Sequence, residues 1–260
     1  MELTYASYLK LDQLLNLQEP KSDPPEHDEM LFIVTHQCYE LWFKQLLHEL
    51  DKTKRDFSSD HLFALIHTFK RCRTIMKVMV NQLDILETMT PMSFRAFRDR
   101  LDRASGFQSM QFREFEFVLG LKRSGVLKNY QESLYGLDAA RRRLNERSVV
   151  DSFNDFLEHR GVRIPGEVKE LSVTSRSEPN EEIQDGLHHL FVSDPQLAVL
   201  FELMLDFDEG QQEWRYRHVK LVERTIGNKK GTGGSLGVEF LKKTLFIPVF
   251  PDLWAIRHRL

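Results

Sequence analysis

His218 ends the run Trp214-Arg215-Tyr216-Arg217-His218, and Gly231-Thr232-Gly233-Gly234-Ser235 follows soon after. A histidine carried on a helix has its imidazole anchored to rigid backbone, which suits an axial metal ligand. Three glycines around a threonine let the backbone approach a small polar ligand closely, since glycine has no side chain in the way and accepts φ > 0. The loop lacks the Gly-Lys-Ser/Thr ending of a Walker motif, so it is no P-loop.

Other chemistries find no support. No Glu-x-x-His occurs, which removes a di-iron carboxylate bundle. His48-Glu49 has no second histidine and so makes no zincin. His36 and Cys38 stand two apart on a helical stretch and point to different faces, so they are not a nucleophile pair. Cys38 and Cys72 cannot build a disulfide framework, and no Cys-x-x-Cys-His exists to bind haem covalently.

The elements that must position these residues read as helices almost throughout. Tyr5, Tyr8, Leu9, Leu11 and Leu15 recur at helical spacing up to Pro20 and Asp23-Pro24-Pro25. Long helices are expected from about His27 to Phe57 and from about Asp60 to Met89, the second amphipathic through Phe63, Ile66, Phe69 and Ile75. Thr90-Pro91 is an N-cap followed by proline at the first helical position, opening a short helix that carries Phe94 and Arg98 on one face. Ala104-Ser105-Gly106 breaks the pattern before a helix from about Phe107 to Leu119. The stretch Lys122 to Asn180 is polar and interrupted, and its Arg141-Arg142-Arg143 run reads as a solvated face. A long helix resumes from about Pro195, runs through Gly210 and stops at Gly227. A last helix near Val238 to Phe246 and a tail from Pro251 complete the chain. No repeat or domain linker is visible, so residues 1–260 are expected to form a single all-α domain.

On these elements several residues make sense together around a flat apolar cofactor. His218 can be a fifth ligand to haem iron, with Trp214 one turn earlier on the same face. Phe32 and His36 form a second aromatic-plus-imidazole face, and Arg98 offers a fork for a carboxylate that lysine would grip less specifically. Thr232 and its glycines can hold an ammonium or carboxylate. Spacing alone favours a plain helical core, with Phe32 and Phe94 packed inside, His36 a satisfied buried histidine and Arg98 on the surface.

The net charge of −3 argues against nucleic acid, which selects a basic excess. Apolar runs such as Met30 to Val34 are far too short to span a bilayer, and Met1-Glu2-Leu3-Thr4-Tyr5 has no signal-peptide pattern. A reducing cytoplasm is the expected location.

At these residues the chain resembles the tryptophan 2,3-dioxygenases. The resemblance is carried by Tyr5-x-x-Tyr8-Leu9-x-Leu11-Asp12-x-Leu14-Leu15 and by His27-Asp28-Glu29-Met30-Leu31-Phe32-Ile33 through His36-Gln37 to Glu40-Leu41-Trp42. It continues in Leu86-Glu87-Thr88-Met89-Thr90-Pro91, Phe97-Arg98-Asp99 and Ser105-Gly106-Phe107-Gln108-Ser109. Trp214-x-x-Arg217-His218 and Lys230-Gly231-Thr232-Gly233-Gly234-Ser235 complete it. The blocks stand in family order along the chain, and only the polar middle is poorly anchored.

The resemblance implies an all-helical domain assembling as a homotetramer, a dimer of dimers, with one non-covalent haem b per subunit, ferrous in the active form. It implies that L-tryptophan and O2 react to N-formyl-L-kynurenine, the first step of tryptophan degradation by the kynurenine pathway. By it His218 is the proximal iron ligand and His36 the catalytic distal histidine. Phe32 and Phe94 belong to the substrate pocket, Arg98 pairs with the substrate carboxylate, Thr232 contacts the amino-acid head group, and Ser105 and Gly106 line the distal side. The N-terminal helix, about residues 4–17, would be exchanged onto a neighbour, giving Tyr5, Tyr8 and Leu9 a place in that neighbour's pocket. Departures from the family pattern are Leu236, where a serine often stands, and Phe94 and Phe112, where some members carry tyrosine.

Overall fold

Two 32-residue helices form the frame, α3 (His27–Ser58) and α11 (Pro195–Ile226). In the computed structural model, residues 2–102, 104–123, 125–171, 175–227 and 237–260 are described, Asn129 and Leu171 by backbone alone. Between the frame helices and packed on both lies α4 (Leu62–Glu87). Before them come α1 (Tyr5–Leu9) and α2 (Leu11–Leu14). Shorter elements follow α4: α5 (Pro91–Arg98), α6 (Met110–Val118), α7 (Leu137–Asn145), α8 (Val149–His159), α9 (Gly166–Leu171) and α10 (Glu181–Ser193). After α11 come α12 (Val238–Lys242) and α13 (Pro251–Ala255). No strand occurs among the described residues, and none of the described helices is long and apolar enough to cross a membrane.

The ends of the frame follow local chemistry. Asp194 caps α11 by accepting from the backbone N–H groups of Gln196 at 2.9 Å and Leu197 at 3.2 Å, with Pro195 in the first turn. Gly227, at φ 59°, ends it in a conformation that side chains resist. Thr90 caps α5 through Ser93 N–H at 3.1 Å. Gly210 interrupts helix propensity in α11 for a packing reason: a Cβ there would sit 3.2 Å from the Cβ of Met76, so glycine allows α4 and α11 to approach. The core along this seam holds Leu65, Phe69, Met76, Met79, Leu83, Leu200, Phe201, Met204 and Phe207, all essentially inaccessible. Each such side chain contributes about 1.5–3 kcal/mol by leaving water.

The polar middle corrects the sequence-based expectation. Its α8 is a core helix, held at its start by a reciprocal Ser148–Asp151 cap, and it places Phe153 and Phe156 5.6 and 5.1 Å from Phe57 of α3. Arg143 is no solvated charge either. Its guanidinium grips Asp51 of α3 bidentately at 2.6 and 2.7 Å and reaches Glu146 at 2.6 Å. Periodicity failed here because the apolar stripe of α8 is only a few turns long and is flanked by charges that find buried partners. The N-terminal segment also differs from one continuous helix. Lys10, at φ 55°, separates α1 from α2, and neither helix buries any residue.

A fully buried carboxylate fastens the start of the C-terminal segment. Asp208 of α11 is fully buried and accepts from Val249 N–H at 2.8 Å, Phe250 N–H at 3.0 Å and Trp254 Nε1–H at 3.0 Å. Asp208→Ala would leave three donors unpaired and is expected to cost about 3 kcal/mol or more in chemical denaturation. Asp208→Asn, which keeps an acceptor oxygen, should cost less.

Candidate active site

α3, α5, α6 and α11 enclose a cavity of about 270 Å³, lined mainly by apolar and aromatic side chains. On α3, Phe32 and His36 stand one turn apart with ring centroids 4.0 Å from each other. The Nδ1 of His36 lies 2.7 Å from the Phe32 carbonyl. A carbonyl only accepts, so Nδ1 carries the proton and Nε2 keeps its lone pair. Phe94 and Phe97 of α5 stand 5.7 and 5.5 Å from the Phe32 ring and support it.

On α11, the His218 imidazole stacks on Trp214 with centroids 5.2 Å apart and planes 3° from parallel. Trp214 is itself held by Phe112 at 5.2 Å and by Tyr39 and Phe43 at 6.0 Å each. The Tyr39 hydroxyl is committed to the Met79 carbonyl at 2.9 Å, so this support does not swing. Arg217, next to His218, fixes the rotation of α11 by donating to Asp84 at 2.5 Å and Glu87 at 3.2 Å on α4.

Both imidazoles are held neutral. Burial, reinforced by the nearby His36, Arg215 and Arg113, brings His218 down to about 4. Burial also lowers His36, partly offset by the Phe32 carbonyl and the charge of Glu40.

One margin of the cavity is strongly cationic. The fully buried Glu116 accepts from Arg123 at 2.8 Å, from Arg215 at 2.9 Å and from Arg113. Burial pushes Glu116 up, but the three guanidiniums outweigh it and hold the carboxyl below its ordinary value. Three positive groups against one negative leave a formal +2, and Arg113 Nε is buried with no hydrogen-bond partner among the described residues. Aromatic faces back the guanidiniums: Arg113 lies 4.9 Å from the Phe112 ring centre, Arg215 5.4 Å from the same ring, and Arg123 6.0 Å from Phe240.

Of the residues expected from the sequence, Phe32, His36, Phe94, Arg98, Ser105, Gly106 and His218 line this one cavity. Tyr5, Tyr8 and Leu9 do not; they stand 76, 70 and 40 % exposed on the arm. Thr232 and Leu236 lie outside the described residues. Sequence reasoning missed the Glu116 cluster. Arg113 and Glu116 are three apart on a helix, the same pattern as a solvated pair, and nothing local shows that Arg123 and Arg215 converge on them.

The family model described as tryptophan 2,3-dioxygenase matches residues 1–193 and 187–260, which together span the chain. The chain belongs to the tryptophan 2,3-dioxygenase family. By that membership it is an oxidoreductase of the dioxygenase class. It is 51 % identical over 255 residues to a tryptophan 2,3-dioxygenase of Herpetosiphon aurantiacus, covering 98 % of this chain and 97 % of that one. It is 47 % identical over 258 residues to one from Anaeromyxobacter sp., covering 99 and 96 %, and 41 % identical over 268 residues to one from Nocardioides sp., covering 100 and 95 %.

The depressed histidines of this family member give stability a pH slope. An unfolded histidine titrates at 6.5 and the folded His218 at about 4, so between these values the unfolded chain binds a proton that the folded chain refuses. Stability therefore falls as pH drops below about 6.5. The cofactor-free chain is expected to lose about 2 kcal/mol from this residue by pH 5, read by urea denaturation at pH 7.5 and 5. His218→Gln should flatten that part of the slope.

Proposed function

We propose that this cavity holds one haem b and is where the chain opens the indole C2–C3 bond of L-tryptophan with O2, giving N-formyl-L-kynurenine. The observation that carries this reading is the pairing of two half-buried imidazoles, both held neutral, in one apolar cavity with a cationic margin of formal +2. That donor set suits the group chemically: a neutral imidazole ligates iron, aromatic walls suit a flat macrocycle, and surplus guanidiniums with an unpaired Nε suit its two carboxylates. His218 would hold the iron, its ring plane set by Trp214, and Arg113, Arg123 and Arg215 would face the carboxylates. When bound, the haem supplies the activation of O2.

The chain's own residues do the rest. The Nε2 lone pair of His36 accepts the indole N–H and orients the ring. The N–H is too weak an acid for an ordinary imidazole to remove, so His36 holds the proton in a hydrogen bond instead of abstracting it. Phe32, braced by Phe94 and Phe97, provides the flat face against the indole. Arg98, at the end of α5, pairs with the substrate carboxylate, and Thr232 contacts the amino-acid head group. Fixing ring and carboxylate together presents the C2–C3 bond in one orientation, a proximity effect. Ser105 and Gly106 close the distal side, and the apolar lining keeps water out.

The chain also assembles as a homotetramer in this reading, and α1 reaches a neighbouring pocket with Tyr5, Tyr8 and Leu9. Support comes from the N-terminal arm: Leu3, Tyr5, Tyr8, Leu15 and Leu17 are each more than half exposed. Free thiols at Cys38 and Cys72 suit a reducing cytoplasm.

An anaerobic optical spectrum of the reduced, haem-loaded protein should shift on addition of L-tryptophan. Admitted O2 should then generate N-formylkynurenine with both atoms from the gas; haem without a tryptophan response would overturn the substrate assignment. His218→Ala should fail to retain haem. Arg98→Leu should retain it and weaken L-tryptophan binding by about 100-fold, the loss of a charge-assisted bidentate pair of about 3 kcal/mol.

A further inference from the structure

The exposed arm is not loosely joined to the body. Residues 17–22 are laid along α3 and fastened at two places. Gln37 Nε2 donates to the Leu17 carbonyl at 3.2 Å, and Gln18 Nε2 donates to Gln37 Oε1 at 2.6 Å. Nearer the start of α3, Glu29 Oε1 accepts from Lys21 N–H at 2.7 Å, while Oε2 accepts from Ser22 N–H at 2.9 Å and from the Ser22 hydroxyl. Ser22 Oγ in turn accepts from Glu26 N–H at 2.9 Å, tying the strap to the first turn of α3.

Glu29 is 1 % exposed. A carboxylate so buried on a helix that could carry an apolar residue there is costly, and its three donors all come from the strap. Burial opposes its ionisation, yet those donors and Lys21 hold the group below its ordinary value. The second fastening, Gln37, is the residue next to His36. The strap therefore lies on the turn of α3 that carries His36, and the first freed residues are α2 and α1, in which no residue is buried among the described residues.

We propose that Glu29 is a positioning residue for the substrate pocket of a neighbouring copy: by clamping Lys21 and Ser22 it sets the direction in which the arm delivers Tyr5, Tyr8 and Leu9. This rests on the reading that the arm completes a second chain's pocket. Because the carboxylate's hydrogen bonds among the described residues all go to the strap, and Glu29 lies outside the cavity lining, the effect is expected to pass through the arm. It should appear in tryptophan affinity and not in haem retention.

The test uses the full-length, haem-loaded assembly and measures haem per chain, L-tryptophan affinity from the Soret shift, and cleavage by trypsin after Lys10. Three variants are compared: Glu29→Gln, the arm variant Tyr5→Ser/Tyr8→Ser/Leu9→Ser, and their combination. Glu29→Gln is expected to keep full haem, weaken L-tryptophan about 10-fold and speed cleavage at Lys10. In the arm variant it should weaken binding no further, since the path it acts through is already broken. Unchanged affinity in Glu29→Gln beside a weakened arm variant would overturn the clamp and leave the arm reading standing. Equal losses added in the combination would also overturn it, showing Glu29 to act on its own chain's pocket. An arm variant with wild-type affinity would overturn the arm reading itself. Should Glu29→Gln fail to accumulate, Ser22→Ala, which removes the hydroxyl that donates to Glu29 and accepts from Glu26 N–H, carries the same comparison.

Discussion

The site depends on keeping two imidazoles neutral inside an apolar cavity. A protonated His218 would meet the guanidiniums of Arg215 and Arg113, adding one more cation to a margin that already carries a surplus. The helical frame resolves this by excluding water around His36 and His218, which depresses both. It also fixes the tautomer of His36 through the Phe32 carbonyl, leaving Nε2 as an acceptor. A cavity of this kind collapses unless its walls are stiff. Stiffness comes from α3 and α11, which are long enough to be anchored in the core away from the cavity while presenting Phe32, His36, Trp214 and His218 at it.

The cationic margin depends on the same frame. Among the described residues Glu116 is the one carboxylate paired with these three arginines, and it holds their guanidiniums in fixed directions on aromatic faces. Removing the surplus charge would be easy for a protein that needed only a core. In the proposed reading, the cost of that charge in a low-dielectric wall would be offset by a bound anionic group. The cluster thus ties stability and function together: the elements that bury Glu116, α6 and α11, also carry Phe112 and Trp214 behind His218.

Much of the frame was legible in the chain. The long periodic stretches, the Thr90-Pro91 cap and the stop at Gly227 are local signals, and the observed helices lie within a few residues of the expected ones. The expected helix from Phe107 instead opens with a 3₁₀ turn at Gly106–Gln108 and begins in earnest at Met110, because Ser109 supplies the cap. The segment 122–180 was misjudged because helices of two or three turns carry too few apolar positions for a clear period, and α9 and α7 are rich in charge. The departures at Phe94 and Phe112 stand on the cavity wall, where phenyl rings pack against Phe32 and Trp214 without a hydroxyl.

By itself the sequence determined the helical class, the residue types able to ligate a metal and grip an amino acid, and the family to which they belong. These follow from local periodicity and from motifs whose meaning does not depend on distant contacts. Only the tertiary structure decided that Phe32, His36, Arg98, Ser105 and His218 share one cavity and that Glu116 gathers Arg113, Arg123 and Arg215 at its edge. Only it showed that Glu29 faces the strap. The physical reason is that protonation state, charge balance and direction are set by neighbours far apart in the chain, and burial, which gives each of them its magnitude, exists only once the helices have packed.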